Sequence, residues 1–259
     1  MKVIIVITLL FFIFGCSTNV KNDCFKDKDF SYCITTSTNS ASTEIVYFFH
    51  GKGGSETEFY TDFKQLINAW DSKSMPTVVS ISFGQIWLID SNKYDKIFNK
   101  AIPEIENKIG KAITKRMILG ESMGGFNSAS IIAKNPKFFQ KAMLNCPALI
   151  TFSPFNVLEI PAYLVRTKAE YKNVLEFLAL LAFNYSILDK YNNVSPFKLL
   201  TSEAPEMYVS CGNKDEYGFF EGDKAFVDLA KSKGIKAEYE ELKGGHCVWN
   251  YKRIAEFLQ

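Results

Sequence analysis

The sequence predicts an α/β protein: a mainly parallel central sheet with helices on both faces and a helical insertion. Three observations carry this expectation. Short β-rich runs alternate with helical patterns along most of the chain, the order a parallel sheet requires because each crossover packs on a sheet face. The length, 259 residues, suits one large domain with a sizeable core. The composition is globular, with 47% hydrophobic and 22% charged residues, which excludes disorder as the dominant state.

Six runs read as strands: 44–49 (EIVYFF), 77–83 (TVVSISF), 115–119 (KRMIL), 141–145 (KAMLN), 206–210 (EMYVS) and 237–241 (AEYEE). Residues 31–36 add a candidate edge strand. After the first run, Ser55 and Glu58 have the S-x-x-E spacing of a capping box. Phe59, Phe63, Leu66, Ile67 and Trp70 then recur on one helical face. Further helices are expected over 93–109, with Pro103 as a point of disturbance, and over 122–134, 223–232 and 248–258. About sixty residues separate the strands at 141–145 and 206–210. They include the apolar run 174–187 (VLEFLALLAFNYSI), too short to span a bilayer comfortably. Residues 150–195 therefore read as a helical insertion over the C-terminal edge of the sheet, with a plain core helix as the alternative for the run.

The N-terminus reads as an address. Met1-Lys2 is followed by an apolar stretch from Val3 to Phe14 and then Gly15-Cys16. Twelve residues rise about 18 Å as a helix, short of a hydrocarbon core of ~30 Å. A basic start, a short apolar stretch and a small residue mark a secretory signal. Ile13-Phe14-Gly15-Cys16 resembles a bacterial lipobox, which implies cleavage after residue 15 and lipidation of Cys16. Ordinary signal cleavage nearby is the alternative, giving a secreted or soluble periplasmic protein. The expected organisation is a lipoprotein signal peptide over 1–15, a lipid-anchored tether and edge segment over 16–40, and the α/β domain over 41–259. The lipid would hold the protein at the bacterial cell envelope, on the outer membrane or a periplasmic face, without spanning it.

Charge and residue counts narrow the chemistry. Thirty Lys+Arg against 28 Asp+Glu give +2, so nothing in the electrostatics supports a nucleic-acid partner. Only two histidines are present, His50 and His246, so a three-histidine metal site within one chain is impossible. The six cysteines, 16, 24, 33, 146, 211 and 247, show no C-x-x-C spacing, against a zinc ribbon or dithiol redox motif. In an oxidising compartment Cys24 and Cys33 are close enough in sequence to close a small disulfide loop. At most two of Cys146, Cys211 and Cys247 pair with each other, and a buried thiol is an equally good reading for any of them.

The informative motif is Gly120-Glu121-Ser122-Met123-Gly124, G-x-S-x-G, between a predicted strand and a predicted helix. A turn this tight strains its central residue, and the flanking glycines relieve the crowding. Ser122 is the candidate nucleophile, and a serine hydroxyl needs a base. His246, on the Gly244-Gly245 turn after the last strand, fits the order serine, acid, histidine. Asp215 is the candidate acid, with Glu216 and Asp223 as fallbacks. The loop His50-Gly51-Lys52-Gly53-Gly54 leaves the first predicted strand. Its backbone N–H groups suit an oxyanion hole, with Lys52 first choice and Gly53 next, beside the N–H of Met123. His50 then anchors the loop.

HGKGG (50–54), GESMGG (120–125), the acid in CGNKDE (211–216) and GGHCVW (244–249) together resemble the α/β-hydrolase superfamily over roughly residues 41–259. More narrowly they resemble the putative esterase, esterase D-like, family. The resemblance implies a serine carboxylesterase working through a Ser-His-Asp triad and an acyl-enzyme on a small-molecule ester, with no metal or organic cofactor. A thioesterase, acyltransferase or peptidase on the same triad is the alternative, as is a non-catalytic, surface-anchored binding lipoprotein. Members often carry Asp after the histidine where this chain has Cys247, whose candidate partners are Cys211 and Cys146. Phe152, Phe155, Leu158 and Phe177 are candidates to line an acyl pocket, and Arg166 to meet a substrate carboxylate.

Overall fold

The computed structural model describes residues 19–259. The stretch expected to be a signal peptide and the expected lipidation site, Cys16, lie outside the described residues. Eight strands form one sheet: β1 (Val20–Lys26), β2 (Ser31–Ser37), β3 (Glu44–Phe49), β4 (Thr77–Ser82), β5 (Lys115–Glu121), β6 (Lys141–Asn145), β7 (Glu206–Gly212) and β8 (Ala237–Leu242). Their order across the sheet is β1-β2-β4-β3-β5-β6-β7-β8. β1 and β2 are antiparallel to their neighbours, and the other six strands run parallel. The helices are α1 (Glu58–Asp62), α2 (Lys64–Ala69), α3 (Ser91–Lys96), α4 (Ile102–Ile109), α5 (Ser122–Lys134), α6 (Ile160–Thr167), α7 (Tyr171–Tyr185), α8 (Leu188–Asn192), α9 (Pro196–Leu199), α10 (Phe219–Ser232) and α11 (Tyr251–Phe257).

Alternation along β3 sorts the core into two layers. Ile45, Tyr47 and Phe49 face one side, with Phe126 and Ile132 of α5 and Phe226 of α10. Val46 and Phe48 face the other, with Phe59 of α1, Leu66 of α2 and Ile254 of α11. Each residue step along a strand turns the side chain to the opposite face, so a strand buried on both faces is apolar throughout.

Five expectations change. Residues 20–26, read as part of the tether, form the strand β1, while the strand expected over 31–36 forms as β2 and lies one place in from the edge. The polar face of β1 is exposed because it is the sheet edge, and that polarity imitates a tether. Cys24 lies opposite Cys33 and the two form a disulfide. Ion pairs join the hairpin turn to the helical segment beyond β4, Lys96 to Asp29 at 2.8 Å and Lys100 to Asp27 at 2.5 Å.

The helix after β3 is broken at Phe63 into α1 and α2. Phe63 packs edge-on against Trp249 with ring centroids 4.6 Å apart. The capping box does not form: Thr57 is the N-cap and makes no side-chain cap bond. In the helix over 91–109 the irregularity precedes Pro103. A π turn, Ile97–Ala101, carries the Ile102 N–H back five residues to Ile97 O. Proline supplies no N–H for an α-helical bond to Asn99, and the wider turn absorbs that mismatch. α11 starts at Tyr251, not 248, because Asn250 caps it by accepting from Arg253 N at 3.2 Å.

The Cys24–Cys33 link closes a short loop on the sheet edge, at the far end of the strand order from β7 and β8. Replacing both cysteines with serine is expected to lower unfolding stability by about 2.5 kcal/mol. Denaturant titration measures this, and the near-UV spectrum of the core should be unchanged.

Candidate active site

β5 ends at Glu121 and α5 begins at Ser122, with no connecting residue. Ser122 has φ +49°, left-handed for a non-glycine residue. The tightness comes from neighbours that leave no room for a Cβ. A methyl at Gly120 would overlap Gly124 O and Ser128 Oγ, and one at Gly124 would overlap Phe49 O. Two glycines thus let strand, turn and helix close up, and Ser122 stands at the N-terminus of α5.

His246 follows β8 on a glycine turn. Its Nε2 lies 2.8 Å from Ser122 Oγ and its Nδ1 2.5 Å from Asp215 Oδ2. A carboxylate only accepts, so Nδ1 carries the proton and the Nε2 lone pair faces the serine hydroxyl. Asp215, in the turn after β7, has no exposed side-chain surface. Its Oδ1 accepts from the backbone N–H groups of Tyr217 at 2.8 Å and Phe219 at 3.3 Å. The fallback acids do other things. Glu216 accepts the backbone N–H of His246 at 2.9 Å and so fixes the turn. Asp223 is fully buried beside Cys211, and that burial pushes its pKa well above the ordinary carboxylate range.

A disulfide joins Cys247, next to the histidine, to Cys146 at the end of β6, with Cα atoms 5.2 Å apart. Both residues have positive φ, +54° and +42°. Cys211 is the buried free thiol, and burial raises its pKa. Cys146, His246 and Cys247 form the one His/Cys/carboxylate group with metal-ligand spacing among the described residues. Its two sulfurs are committed to each other.

The loop after β3 approaches from the other side. His50 is fully buried. Its Nε2 meets two donors, Ser82 Oγ at 2.8 Å and Trp87 Nε1 at 3.2 Å, so Nδ1 carries the proton and donates to Gly51 O at 2.7 Å. Burial lowers its pKa, consistent with a neutral ring that pins the loop. The Gly53 N–H donates to Gln85 O at 2.7 Å, which commits the second-choice oxyanion donor elsewhere. Lys52 and Met123 line the same pocket as Ser122.

That pocket is walled by Leu88, Ala148, Phe177, Leu180 and Phe219. Across its mouth the Lys52 ammonium pairs with Glu176 of α7. α7 serves both readings made of it. Phe177, Leu178 and Leu181 are buried, while Phe183 is 88% exposed. Of the residues expected to line an acyl pocket, Phe177 does so. Phe152 and Phe155 pack on the core, and Leu158 is 86% exposed. Arg166 is already occupied by a two-pronged bond to Glu221, both contacts 2.9 Å. Tyr217, Glu176 and Leu88 were not singled out from the sequence. A lone carboxylate inside the apolar run of α7 was the available signal for Glu176.

No protein-family model matches the chain, and no curated protein does. Solved structures do. A ferulic acid esterase is 14% identical, with 93% of this chain and 96% of that chain covered and a TM-score of 0.63. An esterase from Pyrobaculum calidifontis is 18% identical, covering 93% and 84%, with a TM-score of 0.64. An esterase of the bacterial hormone-sensitive lipase family is 14% identical, covering 92% and 84%, with a TM-score of 0.70. At these identities the likeness is one of architecture, and the chain has the α/β-hydrolase fold.

The Cys146–Cys247 link closes a loop of about a hundred residues and borders His246. Changing both cysteines to serine is expected to cost about 2–5 kcal/mol of stability. It should also weaken the downfield proton resonance of the His246 Nδ1–H···Asp215 bond, which proton NMR would follow.

Proposed function

We propose that the protein is a serine esterase that hydrolyses carboxylic esters through an acyl-enzyme. The observation that carries this reading is the continuous line of hydrogen bonds from Ser122 Oγ through His246 to Asp215, opening onto an apolar pocket. His246 Nε2 takes the hydroxyl proton as Ser122 Oγ attacks the ester carbonyl. Asp215 keeps the imidazole oriented and stabilises the imidazolium. The carbonyl oxygen becomes an oxyanion facing the N–H groups of Met123 and Lys52. His246 returns its proton to the departing alkoxide, and the acyl group remains on Ser122. Water, deprotonated by the same nitrogen, then releases the acid.

The pocket fits this role. Its walls are aliphatic and aromatic, which suits an apolar acyl group. The likeness to structures described as esterases supports ester cleavage. The HGKGG, GESMGG and GGHCVW motifs support the narrower assignment to the esterase D-like group.

We place the protein at the bacterial envelope, held by a lipid on Cys16, a reading that rests on the lipobox-like ending at residues 13–16. Val20 pairs with Ser37 at the sheet edge opposite to Ser122. An anchor four residues before Val20 would therefore point the pocket away from its own bilayer, toward soluble esters.

Covalent labelling of the purified protein by a fluorophosphonate, together with turnover of short p-nitrophenyl esters, tests the mechanism. Strong labelling that disappears in Ser122→Ala and His246→Ala is expected. Asp215→Asn should keep the fold and lower kcat by about 10⁴-fold. Folded wild-type protein that neither labels nor turns over esters would remove the reading. Cys16→Ser should move the protein from the membrane to the soluble fraction.

A further inference from the structure

Two carboxyl groups lie under the loop that carries the Lys52 amide, and the mechanism above does not use them. Glu121 is the residue before Ser122, at the end of β5, and Glu58 is the first residue of α1. Their carboxyl groups approach each other beneath the turn that the Gly54 N–H closes onto Gly51 O at 3.2 Å. Two carboxylates only accept, so the contact requires a proton between them. The loop rests directly on this pair. A methyl at Gly54 would overlap the Glu58 carboxyl, and one at Gly51 would stand 3.0 Å from Glu121 Oε1. Glu121 also faces the Gly51 N–H and the Trp249 indole. Glu58 thus meets the Gly54 end of the loop and Glu121 the Gly51 end, with Lys52 between them.

We propose that Glu58 and Glu121 act as a proton-sharing pair that holds residues 51–54 in the conformation presenting the Lys52 amide. They are positioning residues and touch no reacting atom. The role deepens the esterase reading and rests on it for its catalytic consequence. It also explains why the capping box fails, because the Glu58 side chain reaches Glu121 and not the start of its own helix.

The surroundings favour one retained proton. His50 from the end of β3, Asp62 from α1, Tyr251 from α11 and Glu56 from the connector are the titratable groups that face the pair or its histidine neighbour. The buried His50 ring has a lowered pKa, and no Lys or Arg is among these groups. Burial first, then the hydrogen bond and charge of Glu121, push Glu58 up to about 9. Burial also raises Glu121.

The sign of the pH effect follows. A free Glu loses its proton near 4.5, while the folded pair keeps one until about pH 9. Between those limits the folded state binds more protons than the unfolded state, so this pair's contribution to stability falls as pH rises. Above about pH 9 the two charges repel under the loop.

Thermal unfolding of wild type, Glu58→Gln and Glu121→Gln from about pH 5 to pH 9, beside pH profiles of kcat, tests the pair. The amide of Glu58→Gln supplies a permanent donor. Its Tm advantage over wild type is expected to grow with pH, and its kcat should lack the wild-type decline near pH 9. Glu121→Gln replaces the second acid with an amide donor, so the pair no longer needs a retained proton and its Tm should depend less on pH than that of wild type. Glu58→Ala, with no donor, should lower kcat on the order of 10–100-fold with KM little changed, and Glu58→Gln should restore it. Parallel Tm curves for wild type and both glutamine variants would overturn the pair. So would equal kcat values in Glu58→Ala and Glu58→Gln. If no esterase activity is found, the Tm comparison still decides the pair, so the two readings fail separately.

Discussion

The left-handed backbone at Ser122 is the constraint on which the rest of the site depends. A strand passes into a helix with no intervening residue, and a serine occupies a conformation that side chains disfavour. The strain persists because both sides of the junction are packed. Gly124 lies against the carbonyl of Phe49, the last residue of β3, and Gly120 lies against the first turn of α5. The elbow therefore fixes more than the hydroxyl. It draws the exit of β3, and with it the His50–Gly54 loop, to within reach of Ser122.

The other partners arrive from strands further along the sheet. β7 and β8 lie side by side, and the turns that follow them carry Asp215 and His246. Parallel strands deliver their C-terminal turns to one edge, so residues separated by 124 positions become neighbours without a long excursion of chain. Each turn is then held by its own fastening. The Glu216 carboxylate accepts the His246 amide, and the Cys146–Cys247 disulfide ties the next residue to the end of β6. Rigid support behind the imidazole is what the proposed proton transfers require, because base strength is of little use without fixed geometry.

The insertion between β6 and β7 supplies the pocket and not the proposed chemistry. α7 buries one side over the sheet edge, contributes Phe177 and Leu180 to the wall, and meets the loop after β3 through the exposed Lys52–Glu176 pair. An exposed pair of this kind contributes little to stability. The mouth is therefore the least firmly held part of the site, while its floor is the most firmly held.

The sequence by itself determined the elements whose physics is local. Short β-rich runs placed the strands from β3 to β8 within a residue or two. The glycine spacing around Ser122 located the strand-to-helix turn, and the chain order of Ser122, Asp215 and His246 named residues that the fold brings together. Tertiary structure decided whatever depends on a distant partner. β1 is a strand because β2 lies beside it, although its exposed edge reads as a tether. Cys247 pairs with Cys146 because β6 ends beside the histidine turn, and no spacing separated that choice from Cys211. Glu58 has the position of a capping residue, yet its carboxyl turns to the Glu121 carboxyl at the end of β5. Arg166 is occupied by Glu221, 55 residues away. In each case the deciding term is a contact between residues distant in the chain, which sequence periodicity does not encode.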